Sequence, residues 1–194
     1  LIFSQLDTDV GSYYLDYVSH RFQLPELKMM FAGFAAREAI HQSNYALFSD
    51  TLGMGDRAFT EFVNIPELMA KHTLFDDTMH EIQHMDISST AKDYLNIATY
   101  STYGEGVSLF SSFAMLLSFA LPDVNKFPGL VSIVNYSIKD ERIHYESMTK
   151  LANKIYELLD NKEKMLGKAV KGPVALELRE QKVAKILFLS KIIF

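Results

Sequence analysis

The pattern Glu-x-x-His occurs twice in the chain, as Glu38-Ala-Ile-His41 and as Glu141-Arg-Ile-His144. Positions i and i+3 of a helix lie on one face, so each copy directs a carboxylate and an imidazole to the same side. In four-helix bundles, two such helices facing each other supply half of the ligands of a dinuclear metal site. The other half is one carboxylate from each of two further helices.

Two further segments of the chain offer such carboxylates. Glu105 begins a strongly apolar segment, and burying a lone carboxylate is costly unless it pairs or binds a cation. Near the start of the chain, Asp7 and Asp9 both lie in an apolar setting. Four carboxylates and two imidazoles form a hard, oxygen-rich ligand set with open positions, which suits iron or manganese better than structural zinc. Such a metal pair can bind and reduce dioxygen.

The elements that must position these residues are predicted to be helices throughout. Apolar residues recur at helical spacing, and turn residues separate the segments. Sustained two-residue alternation is not found between the turn signals, so strands are not expected. We predict a single all-α domain over residues 1–194, with helices over Ile2–His20, Glu26–Leu52, Ala58–His72 (with a kink or break at Pro66), Thr78–Tyr103 (capped by Asp76 or Asp77), Glu105–Ala120, Asn125–Asp160 and Val174–Ile193.

The composition excludes several classes of function. Of the 194 residues, 48% are hydrophobic and 22% are charged, which is typical of a globular protein. The formal net charge of −5 gives no electrostatic reason to expect binding to nucleic acid or to an anionic membrane. The absence of cysteine excludes disulfides, thiolate zinc sites, iron–sulfur clusters and cysteine nucleophiles.

The sequence also carries expectations about location and chain ends. A signal peptide or an apolar stretch long enough for a membrane span is not recognisable, which predicts a cytoplasmic protein. The chain begins at Leu1, and its first residues have a mid-helix pattern without a capping residue. We therefore expect the true N-terminal part to be missing.

Taken in order, these residues resemble the small, radical-generating subunit of class I ribonucleotide reductase. That family has Leu-Asp-Thr or Leu-Asp-Ser at its first ligand, which is Leu6-Asp7-Thr8 here, and this favours Asp7 over Asp9. Its first Glu-x-x-His follows 31 residues later, as Glu38 does, and its radical-bearing tyrosine lies seven residues beyond that glutamate, at the position of Tyr45. Over about the first 150 residues, the other matches follow in the family's order as Asn64–Lys71, Glu105 and Asp140–His144.

The resemblance implies a ferritin-like helical bundle with a dinuclear metal site in its core. Asp140 would accept the second imidazole N–H of His41, the usual arrangement for a ligating histidine. The implied cofactor is dinuclear iron, with manganese or a mixed manganese–iron pair as alternatives that the same ligands serve. Three ligands would hold the metal nearer the tyrosine and three the other, with carboxylates bridging the two: Asp7, Glu38 and His41, then Glu105, Glu141 and His144.

The function that the resemblance implies is that of an oxidoreductase, the small subunit of ribonucleoside-diphosphate reductase. The reduced metal pair would react with dioxygen and oxidise Tyr45 to a tyrosyl radical. A separate large catalytic subunit would use this radical to make deoxyribonucleotides for DNA replication, and the small subunit would be a homodimer. The family's C-terminal tail, which docks the large subunit, is not recognisable in Leu187–Phe194, so we expect the chain to be short at both ends.

The surroundings of a tyrosyl radical should be apolar, because the radical persists only where water and reductants are excluded. Leu109 and Phe113, one and two turns after Glu105, fit this requirement. Ser137, one turn before Glu141, stands where the family usually has an aliphatic side chain. This departure bears on the lifetime of the radical and not on metal binding.

Other functions remain open to the sequence. His80-Glu81-Ile82-Gln83-His84 matches H-E-x-x-H and Glu105 lies 21 residues beyond it, a ligand set found in zinc metalloproteases. The polar surroundings of this motif indicate instead an exposed helix face. A ferritin-like di-metal oxidase or iron-binding protein would share the fold and the ligands without requiring Tyr45, and a non-catalytic remnant would require neither radical nor partner.

Overall fold

The computed structural model describes residues 2–55 and 61–163. All regular structure in these ranges is helical, which confirms the predicted all-α class. The predicted helix Val174–Ile193 and the first residues of the predicted helix Ala58–His72 lie outside the described residues. The chain forms two compact units: Leu1–Asp77 with Phe110–Arg142, and Thr78–Leu109 with Ile143–Phe194.

The first unit is built on two helices packed together, α1 (Ile2–Ser12) and α2 (Pro25–Thr51). Pro25 occupies the first turn of α2, where its missing N–H costs no intrahelical hydrogen bond. After the helix ends, Gly53 has a φ of 68°, a left-handed conformation that glycine adopts without strain. The predicted helix Glu26–Leu52 is therefore correct to within one residue at each end.

The segment after α1 differs from the regular helix that was predicted. The chain widens into a π-helix over Tyr13–Val18 before a last α-helical turn, Ser19–Arg21. Tyr14 in the π-helix is fully buried, and its ring packs against Phe31 and edge-on against Phe34 of α2, with ring centroids 6.3 and 5.3 Å apart. This aromatic cluster anchors the wider helical turns to α2.

The kink or break predicted at Pro66 is present as a break, but the predicted end of this helix at His72 is wrong. Pro66 begins a helix, α3 (Pro66–His84), because a proline is favourable in the first turn and unfavourable further in. A 3-10 turn over Glu61–Asn64 precedes this helix.

The predicted helix Thr78–Tyr103 is also wrong, because it is interrupted. Helix α3 runs on through its first residues, and a new helix, α4 (Ser89–Ile97), begins after a short irregular stretch. Ser88 caps α4 with an extended backbone and a side-chain oxygen that accepts a first-turn N–H at 3.2 Å. The predicted caps, Asp76 and Asp77, lie inside α3 instead.

The first unit also contains α5 (Phe110–Leu117), a 3-10 turn (Ser118–Ala120) and the start of α6 (Pro128–Glu163). Just before α6, Asn125 and Phe127 have φ values of 42° and 53°. Residues in this left-handed region do not extend a right-handed helix, so α6 begins at its proline and not at the predicted Asn125.

The second unit contains α4, a π-helix over Ala98–Leu109 and the part of α6 that follows Arg142. Its core is apolar and aromatic, with buried side chains that include Tyr94, Leu95, Ile97, Met148, Ile155 and Leu159. Of the helices described, each is too short or too polar to cross a membrane.

Candidate metal centre

Three ligand-type side chains of the first unit come together where α1 packs on α2. Asp7 lies on α1, and Glu38 and His41 lie one turn apart on α2. One ligand atom from each lies within 4.8 Å of the other two. The residues are only 3%, 2% and 3% exposed, respectively. Burying two charged carboxylates away from water is costly unless a positive charge compensates them, so this cluster is suited to a cation.

The ring of His41 contacts carboxylates through both nitrogens. Nδ1 lies 3.1 Å from a Glu141 oxygen and 3.4 Å from a Glu38 oxygen, and Nε2 lies 3.2 Å from Asp140 Oδ2. Burial lowers the pKa of His41, but the hydrogen bonds and negative charges of Glu141 and Glu38 outweigh burial and raise this pKa to about 11. The surroundings of the ring therefore stabilise positive charge, and Asp140 stands where a partner orienting a ligating histidine belongs.

Tyr45 lies one turn beyond His41 on α2 and is 1% exposed. Its hydroxyl donates a hydrogen bond to Ser137 Oγ of α6 at 3.3 Å. Burial raises the pKa of Tyr45 far above its ordinary value; the bond to Ser137 opposes this, and the charges of the neighbouring carboxylates add to it. The side chain is therefore a neutral phenol shielded from water.

The second unit contains a carboxylate–imidazole pair of its own. Glu105, in the π-helix, and His144, on α6, are each 1% exposed, and Glu105 Oε1 lies 3.4 Å from His144 Nδ1. Glu141 stands one turn before His144 on the same helix and is fully buried. Each predicted ligand is thus a buried side chain with another ligand-type group within reach.

The remaining predicted residues are placed as follows. Leu109 and Phe113, expected in the radical pocket, are 7% and 2% exposed, and they belong to different units. Asp9, the alternative to Asp7, is partly exposed and accepts a hydrogen bond from Gln5 at 3.0 Å. An aspartate with a polar partner near solvent has no need of a metal, so the burial of Asp7 favours Asp7 as the ligand.

The family model of the ribonucleotide reductase small chain matches residues 1–181. The chain belongs to this family. Two similar proteins are described as probable ribonucleoside-diphosphate reductase small subunits, one of Invertebrate iridescent virus 6 (40% identical over 157 residues) and one of Invertebrate iridescent virus 3 (34% over 165). These alignments cover 77% of this chain in each case, but 43% and 42% of the relatives, so the chain spans less than half of their length. No solved structure is significantly similar to it.

Membership of the ribonucleotide reductase small-chain family confirms the predicted resemblance and the ferritin-like helical class. The family is that of an oxidoreductase subunit, and it implies a dinuclear metal centre. The donor types fit such a centre, because carboxylates and imidazoles suit iron or manganese. The four carboxylates and two imidazoles are all buried. Those six residues are Asp7, Glu38, His41, Glu105, Glu141 and His144.

The π-helix and α6 approach each other closely beside Glu105 and His144. Gly106 follows the glutamate and Tyr145 follows the histidine; a Cβ on Gly106 would lie 2.7 Å from Tyr145 Cε2. We expect Gly106→Ala to lower the free energy of unfolding by about 1–3 kcal/mol, the usual cost of overpacking, and to weaken metal binding by this pair. Urea denaturation and metal titration measure the two effects.

Gly33→Ala is the matched control for this prediction. A Cβ on Gly33, in the middle of α2, meets no other atom within 4 Å. The substitution should therefore raise stability by about 0.5–1 kcal/mol through the lower conformational freedom of alanine in the unfolded chain. Equal effects of the two substitutions would show that Tyr145 does not restrict the space beside Gly106.

The H-E-x-x-H motif is not assembled into a zinc site of the protease type. His80, Glu81 and His84 are all exposed, whereas Glu105 is buried. The two imidazoles lie against each other with ring centroids 4.2 Å apart, and His84 Nδ1 lies 2.8 Å from the backbone oxygen of His80. Within residues 2–55 and 61–163, the clusters of metal-ligating groups include neither histidine.

The double variant His80→Ala/His84→Ala is expected to bind as much metal as the unmodified chain. Both rings are at the surface, and the buried ligand set does not use them. Metal analysis after dialysis checks this expectation. A loss of one zinc per chain in the double variant would instead support the metalloprotease-type site.

Sequence reasoning missed three features near the ligands. The π-helix that carries Glu105 has no signal in the sequence, although π-helices often occur at functional sites. The contact of Gly106 with Tyr145 was also missed, and a glycine inside a helix beside a candidate ligand was its one available signal. Arg37 Nε lies 4.0 Å from Asp140 Oδ1, and its position one turn before His41 could have indicated this.

Proposed function

We propose that this chain houses the metal centre and the radical-bearing tyrosine of a ribonucleoside-diphosphate reductase small subunit. The observation that supports this most strongly is the position of Tyr45. Its ring is buried one turn from His41, in the unit that also holds Asp7 and Glu38. A phenol that is shielded from water and placed beside metal ligands is suited to one-electron oxidation.

The proposal assigns three ligands to each of the two metals. Asp7, Glu38 and His41 would hold the metal nearer Tyr45, and the family supplies the expectation of a second metal. When bound, an iron pair would supply dioxygen reduction and the oxidising power needed to generate the radical; manganese or a mixed pair would serve the same ligand set. The ligands proposed for the second metal are Glu105, Glu141 and His144.

The residues around the ligands have roles of their own in this proposal. Asp140 accepts a hydrogen bond from His41 Nε2 and so directs Nδ1 toward the carboxylates. The burial of Glu38 and Glu141 removes competing water, so their charges act strongly on a bound cation. The apolar side chains Leu109 and Phe113 are proposed to exclude reductants from the radical.

Two partner proteins belong to the proposal. The radical would be used by a separate large catalytic subunit that reduces ribonucleotides, and the small subunit would form a homodimer. A row of apolar residues exposed on one face of α2 supports self-association, since an exposed apolar patch commonly marks an interface. Its large members are Met29, Ile40 and Leu47, which are 75%, 48% and 64% exposed.

The decisive test is metal analysis combined with electron paramagnetic resonance after reduction, metal loading and exposure to oxygen. Two metals per chain and a tyrosyl signal would support the proposal. A metal pair without a radical would favour a ferritin-like di-metal oxidase. One zinc per chain, dependent on His80 and His84, would overturn it.

A further inference from the structure

Ser137 is the one predicted pocket residue whose chemistry differs from what a radical pocket of this family usually contains. An aliphatic side chain at this position can only exclude water, whereas a serine hydroxyl has one hydrogen to donate and two lone pairs that accept. Ser137 is 1% exposed, and its Oγ lies 3.3 Å from the hydroxyl oxygen of Tyr45, which is equally buried. The two hydroxyls therefore meet in a place that bulk water does not reach.

We infer that Ser137 is a positioning residue for Tyr45. Its hydroxyl accepts a hydrogen bond from the phenolic hydroxyl while Tyr45 is reduced, and it donates a hydrogen bond to the tyrosine oxygen once Tyr45 is oxidised. The first half concerns the phenol alone. The second half rests on the proposed function, since it requires a radical.

The reversal follows from the hydrogen count of the two groups. Oxidation of Tyr45 removes one electron and one proton. A bound, oxidised metal pair would take up the electron, and a neighbouring carboxylate would take up the proton, because a serine hydroxyl is too weak a base to keep it. The resulting oxygen has no hydrogen and can only accept. The Ser137 hydroxyl rotates freely about its C–O bond, so the same contact persists with its direction reversed.

The two helices place this contact one turn away from the proposed metal ligands. Ser137 stands one turn before Glu141 on α6, and Tyr45 stands one turn after His41 on α2. Because Glu141 Oε1 also lies 3.1 Å from His41 Nδ1, two successive turns of the same two helices are joined by polar contacts. At 3.3 Å the bond between the two hydroxyls is longer, and therefore weaker, than the 2.5–3.0 Å usual for O–H···O bonds.

The first test reads the phenol without metal or radical. The chain is labelled with 13C at the ring carbon that bears the tyrosine hydroxyl, and the Tyr45 resonance is assigned by its loss in Tyr45→Phe. We expect Ser137→Ala to shift this resonance and Ser137→Thr, which keeps the hydroxyl, to restore it to near its original position. An unchanged resonance in Ser137→Ala would overturn the inference.

Ser49→Ala is the matched control for this experiment. Ser49 is fully buried on α2, and its hydroxyl donates to the backbone oxygen of Tyr45 at 2.8 Å and not to the ring. Loss of this hydroxyl should leave the ring-carbon resonance in place. A shift as large as that in Ser137→Ala would mean that the resonance reports general repacking, which would also overturn the inference.

The second test reads the radical. After metal loading and oxygen exposure in D₂O, electron–nuclear double resonance should detect an exchangeable deuteron, that of the Ser137 hydroxyl, hydrogen-bonded to the tyrosyl oxygen. Ser137→Ala should lose this coupling and show a higher largest g value, and Ser137→Thr should retain both original features. A coupling that persists in Ser137→Ala would overturn the second half. If the unmodified chain forms no radical, the proposed function and the second half fail together, while the resonance of the phenol still decides the first half.

Discussion

A Tyr45→Phe variant is expected to bind two metals per chain and to give no tyrosyl radical. The substitution removes only the hydroxyl, from a ring that is 1% exposed, so the packing of α2 should be preserved. Phenylalanine has no hydroxyl proton to release on one-electron oxidation, so no neutral radical forms at this position. Electron paramagnetic resonance should show the signal reduced to the detection limit, with the metal content unchanged.

Tyr94→Phe provides the control for Tyr45→Phe. Tyr94 is a buried tyrosine of the second unit whose ring packs on Tyr156, with centroids 5.7 Å apart, and burial raises its pKa as it does that of Tyr45. If burial alone selected the oxidised tyrosine, both substitutions would reduce the signal. A signal that survives in Tyr45→Phe and disappears in Tyr94→Phe would contradict the assignment to Tyr45.

Among the substitutions described, Glu141→Gln is expected to weaken metal binding most. Glu141 is fully buried, lies 3.1 Å from His41 and is one turn from His144 on α6. Gln keeps the volume and removes the charge. Loss of a residue that only orients a ligand weakens metal affinity by about 10–100-fold, so loss of this carboxylate should weaken it by at least about 100-fold. Competition with a chelator of known affinity measures the change.

The same substitution should act on His41. The contact of the His41 ring with the Glu141 carboxylate is the strongest of the influences that raise the pKa of His41, so Glu141→Gln should lower this pKa toward its ordinary value. Nuclear magnetic resonance of the imidazole follows it directly. An unchanged pKa would show that Glu141 does not stabilise the positive charge on the ring.

Glu157→Gln is the control on the same helix. The Glu157 side chain is 59% exposed and pairs with Lys154 at 2.7 Å, a surface ion pair that contributes little. Its loss should leave metal content and affinity as they are. If Glu157→Gln weakened binding as much as Glu141→Gln, the effect would come from the charge of α6 as a whole and not from a ligand.

The sequence alone determined the order and the type of the chemical groups. The i, i+3 spacing of Glu38 with His41 and of Glu141 with His144 is a local property of a helix, so it can be recognised without tertiary structure. The helical class and the bounds of α2 are local in the same sense, because apolar period, proline and glycine act within a few residues. These features were sufficient to identify the family.

Other features depended on helices that are distant in the sequence. The contacts of His41 with Asp140 and of Tyr45 with Ser137 each join α2 to α6, and their register follows from packing that no local pattern encodes. Burial is equally non-local: Asp7 is 3% exposed while Asp9 is partly exposed, although both lie on α1.

The same division between local and tertiary features explains the outcome for H-E-x-x-H, the second metal-binding pattern that the sequence left open. H-E-x-x-H is a local pattern and was visible at once, but a metal site also requires a third ligand and shelter from water, both of which depend on the fold. His80 and His84 are exposed and Glu105 is buried against His144, so tertiary structure decided which glutamate–histidine pattern is placed to do chemistry. Sequence determined which groups are available, and packing decided which of them meet.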